Sequence, residues 1–246
     1  MVLFVDTFSN YFEPENARAA LAVLRPRGLR RAHRRAPADG SRPLCCGRTF
    51  LAAGMVEEAR AEARRVLDAL EPYVGRGVPV VGLEPSCILG LRDEFKSMLP
   101  GGETDALAAS ALLFEEFIAR EHEAGRLALQ LKPLAEKRAL LHGHCHQKAF
   151  GAMPAVQRAL SLVPELKVET IESSCCGMAG SFGYEAAHYD GLDEDGRARA
   201  AAQGPRGGRA TRCSSPTAPA AAIRSPTARR EKRSTSRKCW RARLPR

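Results

Sequence analysis

The sequence predicts an α/β fold made of two duplicated parallel α/β units, each ending in a Cys-Cys-Gly loop. Three observations support this prediction: short apolar runs alternate with segments of helical periodicity, Cys-Cys-Gly occurs twice, and similar elements precede each copy. Alternating strands and helices are typical of parallel sheets, in which helices connect the strands. A chain of 246 residues is long enough to form two small domains with their own cores.

The first unit is predicted over residues 1–104. The run "VLFV" has the pattern of a buried strand, and "PENARAALAVLR" begins with Pro14 and Glu15 as a helix start does. After Cys-Cys-Gly at 45–47, the stretch "FLAAGMVEEARAEARRVLDALEPYV" predicts a second helix. The next strand lies in "VPVVGLEPSC" and ends in a loop that carries Cys87.

Residues 105–137 are predicted as a helical connector, because "DALAASALLFEEFIAREHE", at 105–123, has the spacing of a long amphipathic helix. The second unit, at 138–190, repeats the order of the first. A strand in "RALLHGHCHQKAF" leads to Cys145, "PAVQRALSLV" supplies a helix, and "KVETIES" supplies a strand before the second Cys-Cys-Gly. This repetition indicates an internal duplication.

Six cysteines follow predicted strands. The first unit contributes Cys45, Cys46 and Cys87, and the second contributes Cys145, Cys175 and Cys176. Open α/β sheets bind ligands at the carboxyl ends of their strands, so we expect each set to lie together. Adjacent cysteines are poor disulfide partners, because their Cα atoms lie about 3.8 Å apart and a bridge needs roughly 4.4 to 6.8 Å. Paired thiols therefore indicate iron–sulfur, zinc or redox chemistry, with buried packing cysteines as the alternative.

These motifs resemble the Cys-Cys-Gly domain family, which is found in heterodisulfide reductase and in the iron–sulfur parts of glycolate oxidase and D-lactate dehydrogenase. The stretches "RPLCCGRTFLAAG", "LEPSC" and "LLHGHCHQKAFGAM" are most similar to the C-terminal portion of FAD-binding 2-hydroxyacid dehydrogenases. Two positions depart from the family pattern: Thr7 stands at a leading Cys position, and Glu84 at the first Cys of Cys-x-x-Cys. We interpret both as ordinary loop residues.

The resemblance implies an iron–sulfur electron-transfer module of an FAD-linked D-lactate or glycolate dehydrogenase, part of an oxidoreductase and not a complete enzyme. It implies that Cys145, Cys175 and Cys176 hold an iron–sulfur cluster of the 4Fe-4S type, with FAD on a partner domain or subunit. It implies that the first ligand site is degenerate or differently occupied, and that this site is marked by Cys45, Cys46 and Cys87. The other implied partner is an electron acceptor. Any association with the membrane surface would be peripheral and would occur through the flavin subunit. Two alternatives stay open: a thiol/disulfide reductase of the heterodisulfide-reductase type, and a non-catalytic scaffold with vestigial thiols.

The basic charge is confined to the tail. Residues 191–246 contain 15 basic and 4 acidic side chains, against 23 and 24 in residues 1–190. Since the tail has a single aromatic residue and no recognisable motif, no nucleic-acid partner is predicted. Its composition predicts irregular or disordered structure, and we interpret it as translated out of frame, which would truncate the second unit. The Arg-rich stretch at 25–35 has the same interpretation, because a strand is expected there.

The remaining signals concern compartment and an alternative metal. No apolar run is long enough for a signal peptide or a membrane span, which predicts a reducing, cytoplasmic setting for the eight cysteines. His142, His144 and His146 surround Cys145 and are compatible with zinc. If the segment stays extended, they face away from Cys145, so a polar strand terminus is the preferred interpretation.

Overall fold

The computed structural model describes residues 1–24, 42–127 and 129–172, together with the backbone of two short strands at 211–214 and 234–235. The contacts within the chain divide it into two compact units, Met1–Ala128 and Leu129–Arg246. Helices alternate with parallel strands in the first unit, and the second also has a parallel sheet. The predicted α/β class is therefore confirmed.

The first unit contains a parallel sheet of three strands in the order β1-β2-β3. These strands span Val2–Phe4, Val80–Gly82 and Ala111–Leu113. Val2 lies opposite Val80, and Val80 lies opposite Ala111. β1 and β2 are buried at every position, as the uninterrupted apolar runs predict for strands covered on both faces.

Helices connect these strands, and the stretch predicted as one helix after Cys-Cys-Gly forms two, at Arg48–Ala52 and Val56–Val74. After a π-helical turn at Phe8–Phe12 come α1 (Pro14–Leu24), α2 (Arg48–Ala52), α3 (Val56–Val74), α4 (Pro85–Gly90), α5 (Glu94–Met98), α6 (Gly102–Ser110) and α7 (Phe114–Glu123). α3 buries a stripe that includes Ala59, Ala63, Val66 and Leu70, which recur at the spacing of one helix face.

The single helix predicted over 105–123 is wrong. β3 interrupts it, because Ala111 and Leu113 are fully buried and their backbone pairs with β2. The apolar run at this point satisfies both a helix face and a short buried strand, so periodicity could not separate them. The predicted connector thus contributes a strand to the first sheet.

The second unit contains a parallel sheet in the order β5-β4-β6-β7. β4 is Arg138–His142, followed by α8 (Cys145–Ala149), α9 (Met153–Ser161) and β5 (Lys167–Thr170). Its described core consists of two small clusters, one around Ala139 and Val163 and one formed by Leu141, Val156 and Leu160. This order of strand, helix and strand was predicted for residues 138–172.

The tail supplies the other two strands of this sheet. β6 (Thr211–Ser214) pairs with β4, and β7 (Ser234–Thr235) pairs with β6. These two stretches were expected to be irregular and are strands in the structure. The rest of the predicted tail and the Arg-rich stretch at 25–35 lie outside the described residues.

Candidate metal and thiol site

The Cys-Cys-Gly turn of the first unit is pressed against α3. Gly47 has φ of 75°, and a Cβ atom at this position would lie 3.0 Å from the backbone oxygen of Ala59. Only glycine combines this left-handed conformation with so close an approach. The Gly47 amide lies 3.5 Å from Cys45 Sγ and donates to it, so the turn also orients a thiol.

Cys87 lies in α4, the short helix that follows β2, and not in the loop predicted there. Glu84 caps this helix, because its Oε1 accepts hydrogen bonds from the Ser86 amide at 3.2 Å and the Ser86 hydroxyl at 2.7 Å. Pro85 occupies the first turn, where no amide donor is needed. The helix packs so closely that a Cβ on Gly82 would lie 2.4 Å from Ile88 Cβ.

The three cysteines of the first unit meet as a chain of thiols. Cys46 Sγ lies 3.0 Å from Cys87 Sγ, and these two residues are 7% and 3% exposed. Cys45 is only half-buried, donates a hydrogen bond to Cys46 and accepts one from Thr7. The structure thus brings together Cys45, Cys46 and Cys87, as expected. The strand predicted before Cys45 lies outside the described residues.

The surroundings of these three thiols favour their protonated forms. The hydrogen bond that Cys45 donates to Cys46, together with burial, raises the pKa of Cys45. The bond received from Cys45 lowers the pKa of Cys46, but the bond donated to Cys87 and burial outweigh it and raise that pKa well above the ordinary value. For Cys87 the bond from Cys46 lowers the pKa, while burial and the charges of Asp6 and Glu84 raise it to about 11.

Asp6 is a further polar residue of this site. It follows β1, is 1% exposed, and its Oδ1 accepts a hydrogen bond from the Ser9 amide at 2.9 Å. Its buried Oδ2 has no hydrogen-bond partner among the described residues. A buried carboxylate oxygen without a partner is costly, and a cation nearby would compensate its charge.

The donor chemistry therefore fits a soft metal centre. Three thiols converge beside two buried carboxylates, and a bound cation would favour the thiolate forms that metals require. In the residues that the structure describes, no group of three or more His, Cys, Asp or Glu already has the geometry of a metal site. Two sulfurs on one tetrahedral ion lie about 3.8 Å apart, so Cys46 and Cys87 must separate to ligate together.

An ion-pair cluster, defined as Arg42, Glu62 and Arg65, fixes the chain just before the thiols. Glu62 projects from α3 with its side chain 2% exposed and pairs with both arginines, with Arg65 at 2.8 Å. Arg65 also donates to the backbone oxygen of Arg42 at 2.6 Å. The segment leading to Cys45 is therefore tied to α3 through its side chain and its backbone.

In the second unit, Cys145 is the half-buried first residue of α8. His144 caps this helix by accepting a hydrogen bond on Nδ1 from the His146 amide at 3.1 Å, and the two rings stack at 5.2 Å. His142 ends β4, so the extended segment assumed for the three histidines stops there. Cys175 and Cys176 lie outside the described residues, and the ligand set with Cys145 stays a prediction.

Sequence reasoning missed Asp6 and the ion-pair cluster, and it undervalued Glu84. Glu84 is not an ordinary loop residue, since it caps α4 and its charge acts on Cys87. The signals were present: Asp6 directly follows a buried strand, and an acidic residue before Pro-Ser is typical of a helix start. Glu62 gave no signal, because it resembles the other charged residues of α3.

Comparison with known proteins shows that this chain is similar in sequence to parts of several dehydrogenases. It is 28% identical over 190 residues to a subunit of the anaerobic glycerol-3-phosphate dehydrogenase of Escherichia coli K12, covering 77% of this chain and 46% of that protein. It is 30% identical over 141 residues to the D-2-hydroxyglutarate dehydrogenase of the same strain, covering 56% and 13%. The corresponding enzyme of Pseudomonas putida is 28% identical over 194 residues, covering 77% and 17%.

The chain thus spans less than half the length of these relatives. No protein-family model and no solved structure matches it. By their names, these relatives are a subunit of one dehydrogenase and two other dehydrogenases. Their names include neither D-lactate nor glycolate. None of the helices in the described ranges is both long and apolar enough to cross a bilayer.

Proposed function

We propose that this chain is the iron–sulfur electron-transfer module of an FAD-linked 2-hydroxyacid dehydrogenase. The observation that carries the proposal is the convergence of Cys45, Cys46 and Cys87 in a buried site at the carboxyl end of parallel strands. The similarity to a dehydrogenase subunit and to D-2-hydroxyglutarate dehydrogenases supports it. D-lactate and glycolate remain the proposed substrate class of the whole enzyme, as 2-hydroxy acids.

The chain's own residues would do three things. Cys46 and Cys87 offer buried thiols that would lose their protons on binding a metal, and the half-buried Cys45 completes the first set. The Gly47 amide, by donating to Cys45 Sγ, stabilises negative charge on that sulfur. Asp6 and Glu84 place negative charge beside Cys87, which disfavours the addition of an electron at this site.

A bound cluster supplies the ability to accept and release single electrons. FAD on a partner subunit or domain would deliver them, and a separate acceptor would take them. Cys145, Cys175 and Cys176 are proposed as the second ligand set, in a unit duplicated from the first. A reducing cytoplasmic setting would keep all these thiols available as ligands.

The test is anaerobic reconstitution of the full 246-residue chain with iron and sulfide. We expect a brown protein with charge-transfer absorption in the visible range and a paramagnetic signal after reduction. Cys46→Ser should lower the bound iron, whereas Cys239→Ser, in the basic tail, is the matched control and should leave it unchanged.

A colourless, iron-free protein would contradict the proposal and favour the scaffold alternative. Equal iron loss in Cys46→Ser and Cys239→Ser would also contradict it, because the loss would then not depend on the thiol site. Electron transfer from a purified flavin partner into the reconstituted chain would test the wider assignment.

A further inference from the structure

The two most buried described thiols are also the two that lie against each other. Cys46 and Cys87 are 41 positions apart in the chain, and their sulfurs are 3.0 Å apart. Both are nearly inaccessible, at 7% and 3% exposed, and each is held by a rigid element, the glycine turn or α4. A disulfide is about 2.05 Å long, so a movement of roughly 1 Å separates this contact from a bond.

Cys45 is a poor partner for Cys46. It is adjacent to Cys46, and neighbouring Cα atoms about 3.8 Å apart lie closer than an unstrained bridge accepts. Cys46 and Cys87 come from different elements, so sequence adjacency does not restrict their approach. The geometry therefore favours the Cys46–Cys87 pair, whose sulfurs are 3.0 Å apart, over the adjacent Cys45–Cys46 pair.

We propose that Cys46 and Cys87 form a dithiol that peroxide oxidises to a disulfide, and that this disulfide closes the site to metal. The gating role rests on the proposed function, whereas the disulfide itself does not. Peroxide is the chosen oxidant class because its size is close to that of water and the two thiols are almost fully covered.

The chemistry balances in two steps. One thiol releases its proton and the resulting thiolate attacks a peroxide oxygen; the O–O bond breaks, a sulfenic acid forms, and the departing hydroxide takes up the released proton as water. The second thiol attacks the sulfenic sulfur, the S–S bond forms, and the hydroxyl leaves as water. The protein loses two protons and two electrons in total, and hydrogen peroxide becomes two molecules of water.

The bond would remove two ligands at once. A sulfur in a disulfide has no thiolate to offer, so only Cys45 of the first set would stay able to bind metal. Reduction by a thiol would restore both ligands. A bound metal would in turn protect the pair, because it keeps both sulfurs engaged.

The first experiment maps the oxidised bond. The metal-free full-length chain is treated with hydrogen peroxide, its remaining thiols are alkylated, and its peptides are analysed by mass spectrometry. We expect a linked pair of peptides containing Cys46 and Cys87, lighter by two hydrogen atoms and separated by dithiothreitol. Cys45→Ser should still form this link, and Cys87→Ser should not.

Three results of the mapping would overturn the proposal: a disulfide that contains Cys45, an irreversible sulfinic acid at Cys46 or Cys87, or both residues found fully alkylated. Because the link is read in the unsubstituted chain, the test does not depend on whether Cys87→Ser folds.

The second experiment tests the gate. Oxidised and reduced samples, both carrying Cys145→Ser to limit iron at the second unit, are incubated with iron and sulfide without oxygen. We expect iron in the reduced sample, at least a tenfold loss of it in the oxidised one, and recovery after dithiothreitol. Equal iron in both would overturn the gate and leave the proposed function standing. Iron in neither would overturn the gate, while a mapped disulfide would still establish the dithiol. The proposed function is decided separately by iron in the reconstituted unsubstituted chain, because Cys145→Ser impairs the second ligand set.

Discussion

The two units place a cysteine after a strand in different ways. In the first, β2 ends at Gly82 and Cys87 lies inside α4, buried against Cys46. In the second, β4 is followed by Gly143, and Cys145 begins α8 and stays half-buried. A position after a strand therefore does not by itself bury a thiol. Burial depends on how closely the following helix packs on the strand end.

The largest expected effect comes from adding a Cβ atom to the glycine at the end of β2 or to the one just after β4. Gly82→Ala would place a Cβ 2.4 Å from Ile88 Cβ, which is branched and held in a buried helix, and should cost about 3 kcal/mol of unfolding free energy. Gly143→Ala meets Met153 Sδ at 2.4 Å, but that is the end of a flexible side chain, so about 1 kcal/mol is expected. Urea unfolding followed by circular dichroism measures both. Equal costs would contradict the tighter packing inferred for the first unit.

The next largest effect is the loss of stability expected when the glycine of the first Cys-Cys-Gly turn is replaced. Gly47→Ala combines a left-handed φ of 75° with a backbone contact at 3.0 Å, and should cost about 2 kcal/mol. Gly54→Ala is the matched control, because Gly54 has φ of 76° and an added Cβ atom there would meet no described atom within 4 Å, so about 1 kcal/mol is expected. Only Gly47→Ala should change the alkylation rate of Cys45. An unchanged rate would show that the turn does not hold the thiol.

A substitution in the ion-pair cluster tests whether α3 holds the segment that leads to the first site. Glu62→Gln removes the buried charge that pairs with Arg42 and Arg65, and should cost about 2 kcal/mol and loosen the segment before Cys45. Glu57→Gln is the control, since the Glu57 side chain is 79% exposed and its pair with Arg60 should contribute less than about 0.5 kcal/mol. Hydrogen exchange of the amides at 42–47 measures the loosening. Faster exchange in both variants would contradict a specific role for Glu62.

The smallest effect concerns acid stability in each unit. The hydrogen bond from Arg126 lowers the pKa of Glu121, and the hydrogen bond from Arg138 lowers that of Glu169. A carboxyl group whose pKa is lower in the folded state adds stability above its ordinary value near 4.5, and loses it as the pH falls through the folded value. Glu121→Gln should therefore destabilise at about pH 7, and this cost should shrink as the pH falls below 4.5 and through the folded pKa. Glu169→Gln should show the same sign and a smaller change, because its side chain is 31% exposed against 8%. A loss in Glu121→Gln that does not depend on pH would contradict this account.

The sequence was informative where one physical rule decides the outcome. Apolar runs predicted β1 and β2, because a strand covered on both faces buries every residue and therefore needs apolar side chains throughout. The order of strands and loops then predicted that Cys45, Cys46 and Cys87 would meet, since the carboxyl ends of parallel strands share one edge.

The sequence was uninformative where two structures share a pattern or where a contact spans distant positions. Ala111–Leu113 satisfies a helix face as well as a strand, and only its pairing with β2 decides. The partners of Glu62 and the unpartnered oxygen of Asp6 depend on tertiary contacts that no local spacing encodes. The same holds for the 3.0 Å approach of Cys46 to Cys87, on which the proposed dithiol rests.

The glycine turn against α3 also bears on the kinetics of ligand capture. A segment whose conformation is fixed by packing has already lost its freedom when the chain folds, so an arriving ligand does not have to organise it. We expect association at this site to show a small heat-capacity change and a rate limited by removal of water and by the movement of sulfur atoms. A slow, strongly temperature-dependent association would instead indicate that the backbone rearranges when the ligand binds.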